Sequence, residues 1–257
     1  MLIGVMNYPA LSLPEQIQWI GEAGFDFIDL TLEPPGAASW NIDVSTILEL
    51  LKKYSLRIVG HTAPYLPIAS PVEGLRKAAI AEFQRCLSIF KALGASWMNL
   101  HPGTSPMHQR PFSVERNLDS LRELLPLSSE LGIGLMIENV PGLFNTSSQL
   151  SELLQPLPEV GLHLDIGHCN LMTPVNTERE VLEAFGDRLR HVHLHDNRGG
   201  TMDLHLPLGV GNINLQDALG TLKRSGYDGT ITLEVFTSDP SQLLYSRDVL
   251  KKIWASL

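Results

Sequence analysis

A chain of 257 residues with 19 Lys and Arg against 28 Asp and Glu carries a net charge of −9, and its 44% hydrophobic content can fill one large core. That balance speaks against nucleic-acid and anionic-membrane partners. No apolar run is long enough to span a bilayer and the start MLIGVMNYP lacks the basic flank of a signal peptide, so a cytoplasmic location is expected. The two cysteines, Cys86 and Cys169, form neither a CxxC pair nor a disulfide framework.

In chain order, β-branched-rich apolar segments near residues 2–6, 26–32, 57–61, 96–101, 133–138, 160–165, 190–195 and 230–235 read as strands. A helical pattern follows each. Ser12 to Glu15 and Thr177 to Glu180 fit capping boxes, and Ser70-Pro71-Val72-Glu73 sets a proline at the first helical position. In the third helix, Leu75, Ala79, Phe83, Cys86, Leu87 and Phe90 form one buried stripe that Gly94 ends. Alternating strand and helix patterns at this length predict the α/β class, as a single (β/α)8 TIM barrel over residues 1–257. A doubly wound sheet is the runner-up, but no GxGxxG follows the first strand.

Five strands end on acidic or imidazole side chains: His101, Glu138, Asp165, His193 and Glu234. Side chains alternate faces along a strand. Met136 and Glu138 therefore oppose Leu135 and Ile137, His163 and Asp165 oppose Leu162 and Leu164, and Thr232 and Glu234 oppose Ile231 and Leu233. Apolar residues thus face the covering helices while metal-type ligands face an axis, at the strand ends where this fold keeps its active sites. Three further positions extend the pattern: His61 closing the third strand, His168 three residues after Asp165, and the pair Asp203 and His205.

With HTAPYLPIASP, LGASWMNLHPG, IENVPG, LDIGH, HVHLHD, DLHLPLGVGNI and LEVF in this order, the whole chain resembles the xylose isomerase-like TIM-barrel superfamily, which holds sugar isomerases and epimerases and the endonuclease IV group. The epimerase pattern implies one Mn²⁺, Co²⁺ or Mg²⁺ on Glu138, Asp165, His193 and Glu234, with His168 contacting substrate. The endonuclease IV pattern implies three Zn²⁺ on His61, His101, Glu138, Asp165, His168, His193, Asp203, His205 and Glu234. All nine positions carry a suitable residue. The second glutamate of the ketose 3-epimerase group, six residues after the first, is replaced by Phe144.

The loops after the strands favour the first pattern, because a DNA backbone needs several cationic contacts and these loops hold only Arg110 and Arg198 and no lysine. Arg198, His195, Trp40 and Phe144 are the candidate substrate contacts, while Tyr65, Phe112 and Phe236 fit packing on the rim. His163 and His191 lie deeper in the barrel, and His108 reads as exposed. The GxG of Gly209 and Gly211 is weak evidence for a phosphate loop. The expectation is a metal-dependent sugar or sugar phosphate isomerase or epimerase with catalytic Glu138, Glu234 and His168, moving a proton beside a carbonyl through a metal-stabilised enediolate. Its partner is a small sugar, with no membrane, nucleic acid disfavoured and a homo-oligomer left open; the alternative is an endonuclease IV-like phosphodiesterase acting on abasic DNA.

Overall fold

A computed structural model describes residues 1–105 and 108–257 of the chain. Eight parallel strands follow one another in chain order as a closed barrel: β1 (Leu2–Met6), β2 (Phe27–Leu32), β3 (Arg57–Thr62), β4 (Trp97–Leu100), β5 (Gly134–Glu138), β6 (Gly161–Asp165), β7 (Leu189–Leu194) and β8 (Thr230–Leu233). Helices α1 (Leu13–Glu22), α2 (Val44–Tyr54), α3 (Glu73–Leu93), α4 (Arg110–Leu131), α5 (Ser147–Leu154), α6 (Glu178–Phe185), α7 (Leu215–Arg224) and α8 (Ser241–Ser256) alternate with them. The barrel reading holds, with strand bounds within about two residues of those expected. No helix among the described residues is long and apolar enough to cross a membrane.

By contacts the chain divides into two compact units, Met6–Glu138 with Ser151–Gly161, and Met1–Val5 with Asn139–Leu150 and Leu162–Leu257. In the first, β2 pairs β3 with Thr31 opposite His61, and β4 pairs β5 with Leu100 opposite Ile137. Its core is apolar and close packed. Phe83, Cys86, Leu87 and Phe90 of α3 are all essentially buried, so truncating either phenylalanine should cost about 3–5 kcal/mol. Gly60 makes that packing possible, since a Cβ there would lie 2.8 Å from the Phe90 ring. In the second unit, β6 pairs β7 with Asp165 opposite His193, and β7 pairs β8 with His193 opposite Thr232.

Several helix starts differ from the sequence expectation. Ser12 and Thr177 are N-caps, yet neither side chain makes a cap hydrogen bond, because the Thr177 hydroxyl is drawn to the carbonyls of Asn145 and Cys169. Glu180 accepts from the Ser147 amide rather than from its own cap. Pro71 stands outside α3, whose N-cap is Val72, and Leu75 is solvent-exposed; the buried stripe begins at Arg76, which pairs with Glu73 and Glu123. Side-chain caps form at Asp43 for α2, at Asn214 for α7 and at Thr146 for α5, where the Gln149 amide donates to the Thr146 hydroxyl. Gly94 and Gly132 end α3 and α4 in the left-handed conformation, as helix C-termini favour.

Candidate metal centre

The register of β6, β7 and β8 brings three expected ligands together. Asp165, His193 and Glu234 offer donor atoms that all lie within 4.8 Å of one another, and all three are buried. Asp165 closes β6, His193 lies in β7, and Glu234 follows the last residue of β8. The His193 Nδ1 lies 3.1 Å from Glu234 Oε2. Beneath them His191 is held at both ring nitrogens by the hydroxyls of Thr230 and Thr232, and His163 packs edge-on against His193, which fits their expected place in the interior.

Beside this trio stands a second group, His168, His195, Asp203 and His205, again with donor atoms within 4.8 Å. The tight turn after β6 lets the His168 amide donate to Asp165 Oδ1 at 2.9 Å, while its Nδ1 faces the Asn139 carbonyl at 2.8 Å. That leaves Nε2 for Asp203 Oδ2, at 3.0 Å. His205 Nε2 meets the same oxygen at 3.0 Å, and His195 Nε2 lies 3.3 Å from Asp165 Oδ1. The His205 ring is stacked between His195 and Phe236, with centroids 4.0 Å away on either side.

Electrostatics here is set by carboxylates crowded onto imidazoles. Burial opposes ionisation of Asp203, but hydrogen bonds from His168 and His205 outweigh it and hold the carboxyl well below the usual range. Burial likewise opposes charge on His205, yet the bond to Asp203 and the charges of Glu234, Asp203 and Asp165 push its pKa up to about 9. The field collects positive charge. A divalent cation answers the same demand, and the two carboxylates and the imidazole of the trio suit a fairly hard ion.

In the other unit, Glu138 closes β5 at 1% exposure. Its Oε2 accepts from Asn99 Nδ2 at 2.7 Å and lies 3.0 Å from His101 Nε2 and 3.6 Å from His61 Nε2. The His61 Nδ1 is turned to the Thr31 hydroxyl at 3.1 Å, and Asn7 clamps the Thr31 backbone in both directions. The expected trio of His61, His101 and Glu138 is therefore gathered on one wall.

Three site residues escaped the sequence reading. Asn139 donates to the Asp165 carbonyl and accepts from the Asp165 amide, at 2.9 and 2.7 Å, which ties the residue after Glu138 to the end of β6. Glu33, just past β2, is half-buried; burial raises its pKa against the opposing pull of His61, Tyr65 and His101. Asp196 takes the amides of Gly209, Gly211 and Ile213 onto its carboxylate at 2.9–3.1 Å, so the GxG loop is built around an internal anion.

Other expectations are corrected. Phe144 is 1% exposed and packed into the core, which leaves its ring no open face for a substrate. Arg110 is turned to Glu152, with Nε 2.9 Å from Oε2. Arg198 and Trp40 are exposed, whereas His195 is buried and faces the acidic cluster. The two cysteines are free and buried, and burial pushes the Cys86 thiol up to about 12, leaving it unreactive.

Gly167 offers a sharp test of this packing. A Cβ there would lie 2.1 Å from the His195 Nε2, although the backbone, at φ −64°, accepts any residue. Gly167→Ala should therefore act only through the ring, costing about 1–3 kcal/mol in a thermal melt while displacing His195 from Asp165. An unchanged melting temperature would show that the cluster yields freely.

Residues 17–253 match the model of the xylose isomerase-like TIM barrel, and the chain belongs to that family. It is 30% identical to an uncharacterized protein of Methanocaldococcus jannaschii, covering 94% of this chain and 84% of the relative. It is 28% identical to the L-ribulose 3-epimerase of Methylomonas sp., covering 91% and 82%. The crystal structure of a D-tagatose 3-epimerase-like protein superposes with a TM-score of 0.88 at 28% identity, covering 98% of this chain and 97% of that one. The chain also matches Probable endonuclease 4 of Aquifex aeolicus at 24% identity, over 94% and 92%.

Proposed function

We propose that this protein is a divalent-metal-dependent ketose isomerase or epimerase, with the ion held by Glu138, Asp165, His193 and Glu234. The observation that carries the reading is the buried trio of Asp165, His193 and Glu234, since two carboxylates and an imidazole within one ligand radius leave room for a further carboxylate and for substrate oxygens. Glu138 is the fourth because the next residue, Asn139, is bonded to the Asp165 backbone through both the Nδ2 and the Oδ1 of its side-chain amide. Similarity to the L-ribulose 3-epimerase supports the substrate class.

When bound, such an ion supplies Lewis-acid polarisation of the substrate carbonyl. The protein's own groups move the proton. One of Glu138 and Glu234 takes the proton from the carbon beside the carbonyl, the C–H electron pair becomes the C=C bond as the carbonyl π pair moves onto oxygen to give an enediolate, and the other glutamate returns a proton to the opposite face of that carbon. Epimerisation results; return to the neighbouring carbon is isomerisation. His168 takes a substrate oxygen in this reading by exchanging Asp203 for it at Nε2, and the half-buried carboxyl of Glu33 adds negative charge against a phosphate backbone.

Metal analysis together with proton exchange in D₂O tests the reading. Protein reloaded with one equivalent of Mn²⁺ or Co²⁺ should incorporate a single deuterium beside the carbonyl of L-ribulose, D-tagatose or D-fructose. Three equivalents of zinc with cleavage of an abasic duplex, and no deuterium in any ketose, would establish the phosphodiesterase instead.

A further inference from the structure

We infer that Asn139 is a positioning residue: its side-chain amide fixes Asp165 as a metal ligand, and its carbonyl fixes His168 as the imidazole that meets a substrate oxygen. The inference deepens the metal-dependent epimerase reading and rests on it.

The bonds that carry it are short and buried. Asn139 is the first residue after β5 and is 0% exposed. Its Nδ2 donates to the Asp165 carbonyl at 2.9 Å, and its Oδ1 accepts from the Asp165 amide at 2.7 Å. An amide N–H can only donate and a carbonyl only accept, so one orientation of the side chain satisfies both. With its backbone gripped on both sides, the Cα–Cβ direction of Asp165 is set, and the His168 amide, donating to Asp165 Oδ1 at 2.9 Å, sets the carboxylate upon it. The Asn139 carbonyl likewise accepts from His168 Nδ1 at 2.8 Å, which turns Nε2 to the opposite side of the ring. One residue thus holds a ligand and a substrate contact through separate groups. Outer partners of this kind keep donor atoms in the geometry an ion needs.

The chain carries a matched clamp that holds no proposed ligand. Asn7 is the first residue after β1 and is 1% exposed; its Nδ2 donates to the Thr31 carbonyl at 3.1 Å, and its Oδ1 accepts from the Thr31 amide at 2.7 Å. The register repeats as well, with Thr31 opposite His61 as Asp165 is opposite His193. What differs is the side chain that is held. Thr31 offers a hydroxyl to the His61 ring at 3.1 Å, whereas Asp165 offers a carboxylate to the group it forms with His193 and Glu234. Truncating either asparagine removes the same two backbone clamps, but only at Asn139 does it release a metal ligand.

The test compares wild type, Asn7→Ala and Asn139→Ala as full chains stripped of metal by chelator. Each is melted, then titrated with Mn²⁺ alone while the free ion is followed by its paramagnetic resonance signal. The two variants should melt alike. Asn139→Ala should bind Mn²⁺ about 10- to 100-fold more weakly than wild type, whereas Asn7→Ala should bind it as wild type does. At saturating Mn²⁺, Asn139→Ala should also raise KM for D-fructose or D-tagatose about tenfold, as loss of a hydrogen bond to the substrate would. If Asn139→Ala does not fold, Asn139→Asp, which keeps the acceptor for the Asp165 amide and loses the donor, should show the lower end of that loss in Mn²⁺ affinity. Unchanged Mn²⁺ binding in a folded Asn139 variant, or equal weakening in Asn7→Ala, overturns the positioning of Asp165 and leaves the epimerase reading intact. An unchanged KM overturns the hold on His168. Wild type that neither binds Mn²⁺ nor exchanges deuterium into any ketose overturns both the inference and the reading beneath it.

Discussion

Exchanging either glutamate of the proposed acid–base pair for glutamine, Glu138→Gln or Glu234→Gln, is expected to lower turnover of a ketose by about 10²- to 10⁴-fold, the usual contribution of a positioned acid or base. Volume is conserved, so a fold defect does not confuse the result. The two variants should differ in kind. Glu138 is fastened by Asn99 and His101 at the end of β5, and Glu234 by His193 and His205 beyond β8, and the proposed mechanism gives each its own face of the reacting carbon. With one base removed, the remaining one can still strip a proton from the epimer that presents its C–H to it. Each variant should therefore retain deuterium wash-in with one epimer and lose it with the other, while neither completes epimerisation. Full turnover in either would refute the placement of both.

The second large effect is on stability and concerns Glu178, at the start of α6. It is buried at 4% exposure, and its Oε1 has no hydrogen-bond partner among the described residues. Desolvation, reinforced by Asp217 and only partly offset by Arg179 and Arg224, pushes its pKa up to about 8 from the ordinary 4.5. Its folded pKa thus exceeds its unfolded one, so the folded state binds the extra proton. Stability is fully present below about pH 4.5, falls as the pH climbs, and is lost by about pH 8, where the folded carboxyl itself ionises. The full swing is on the order of 3–5 kcal/mol. Glu178→Gln cannot ionise. It should match wild type near pH 4 and exceed it by that order at pH 9, measured by urea unfolding across the pH range. Parallel curves for the two proteins would show that the group is solvated or paired.

Much of the barrel and of the candidate metal centre was legible in the chain because both rest on short-range rules. A period of two carries Glu138, Asp165 and Glu234 to one face of their strands, and the three-residue step from Asp165 to His168 is a local turn that the amide bond at 2.9 Å completes. The cap positions of α1 and α6 were legible too, although their hydrogen bonds were not. Thr177 has a cap position by its sequence, but its hydroxyl finds two carbonyls brought from residues 145 and 169, and a tertiary partner wins over the local one. Leu75 failed for a related reason. The neighbouring helix α4 supplies Ser120 and Glu123 as partners for Arg76, which turns α3 so that an arginine lies buried and a leucine stays in solvent.

Taken alone, the order of residues determined the fold class, the strand ends and the chemical type of the side chains gathered there, since alternation and spacing are properties of the chain itself. What only tertiary structure decided was partnership: that Asn139 is bonded to the end of β6, that the Asp196 carboxylate takes the amides of the GxG loop, and that Phe144 is core. Each of those depends on groups far apart in sequence competing for the same hydrogen bonds and the same dry space, and no local pattern records which of them wins.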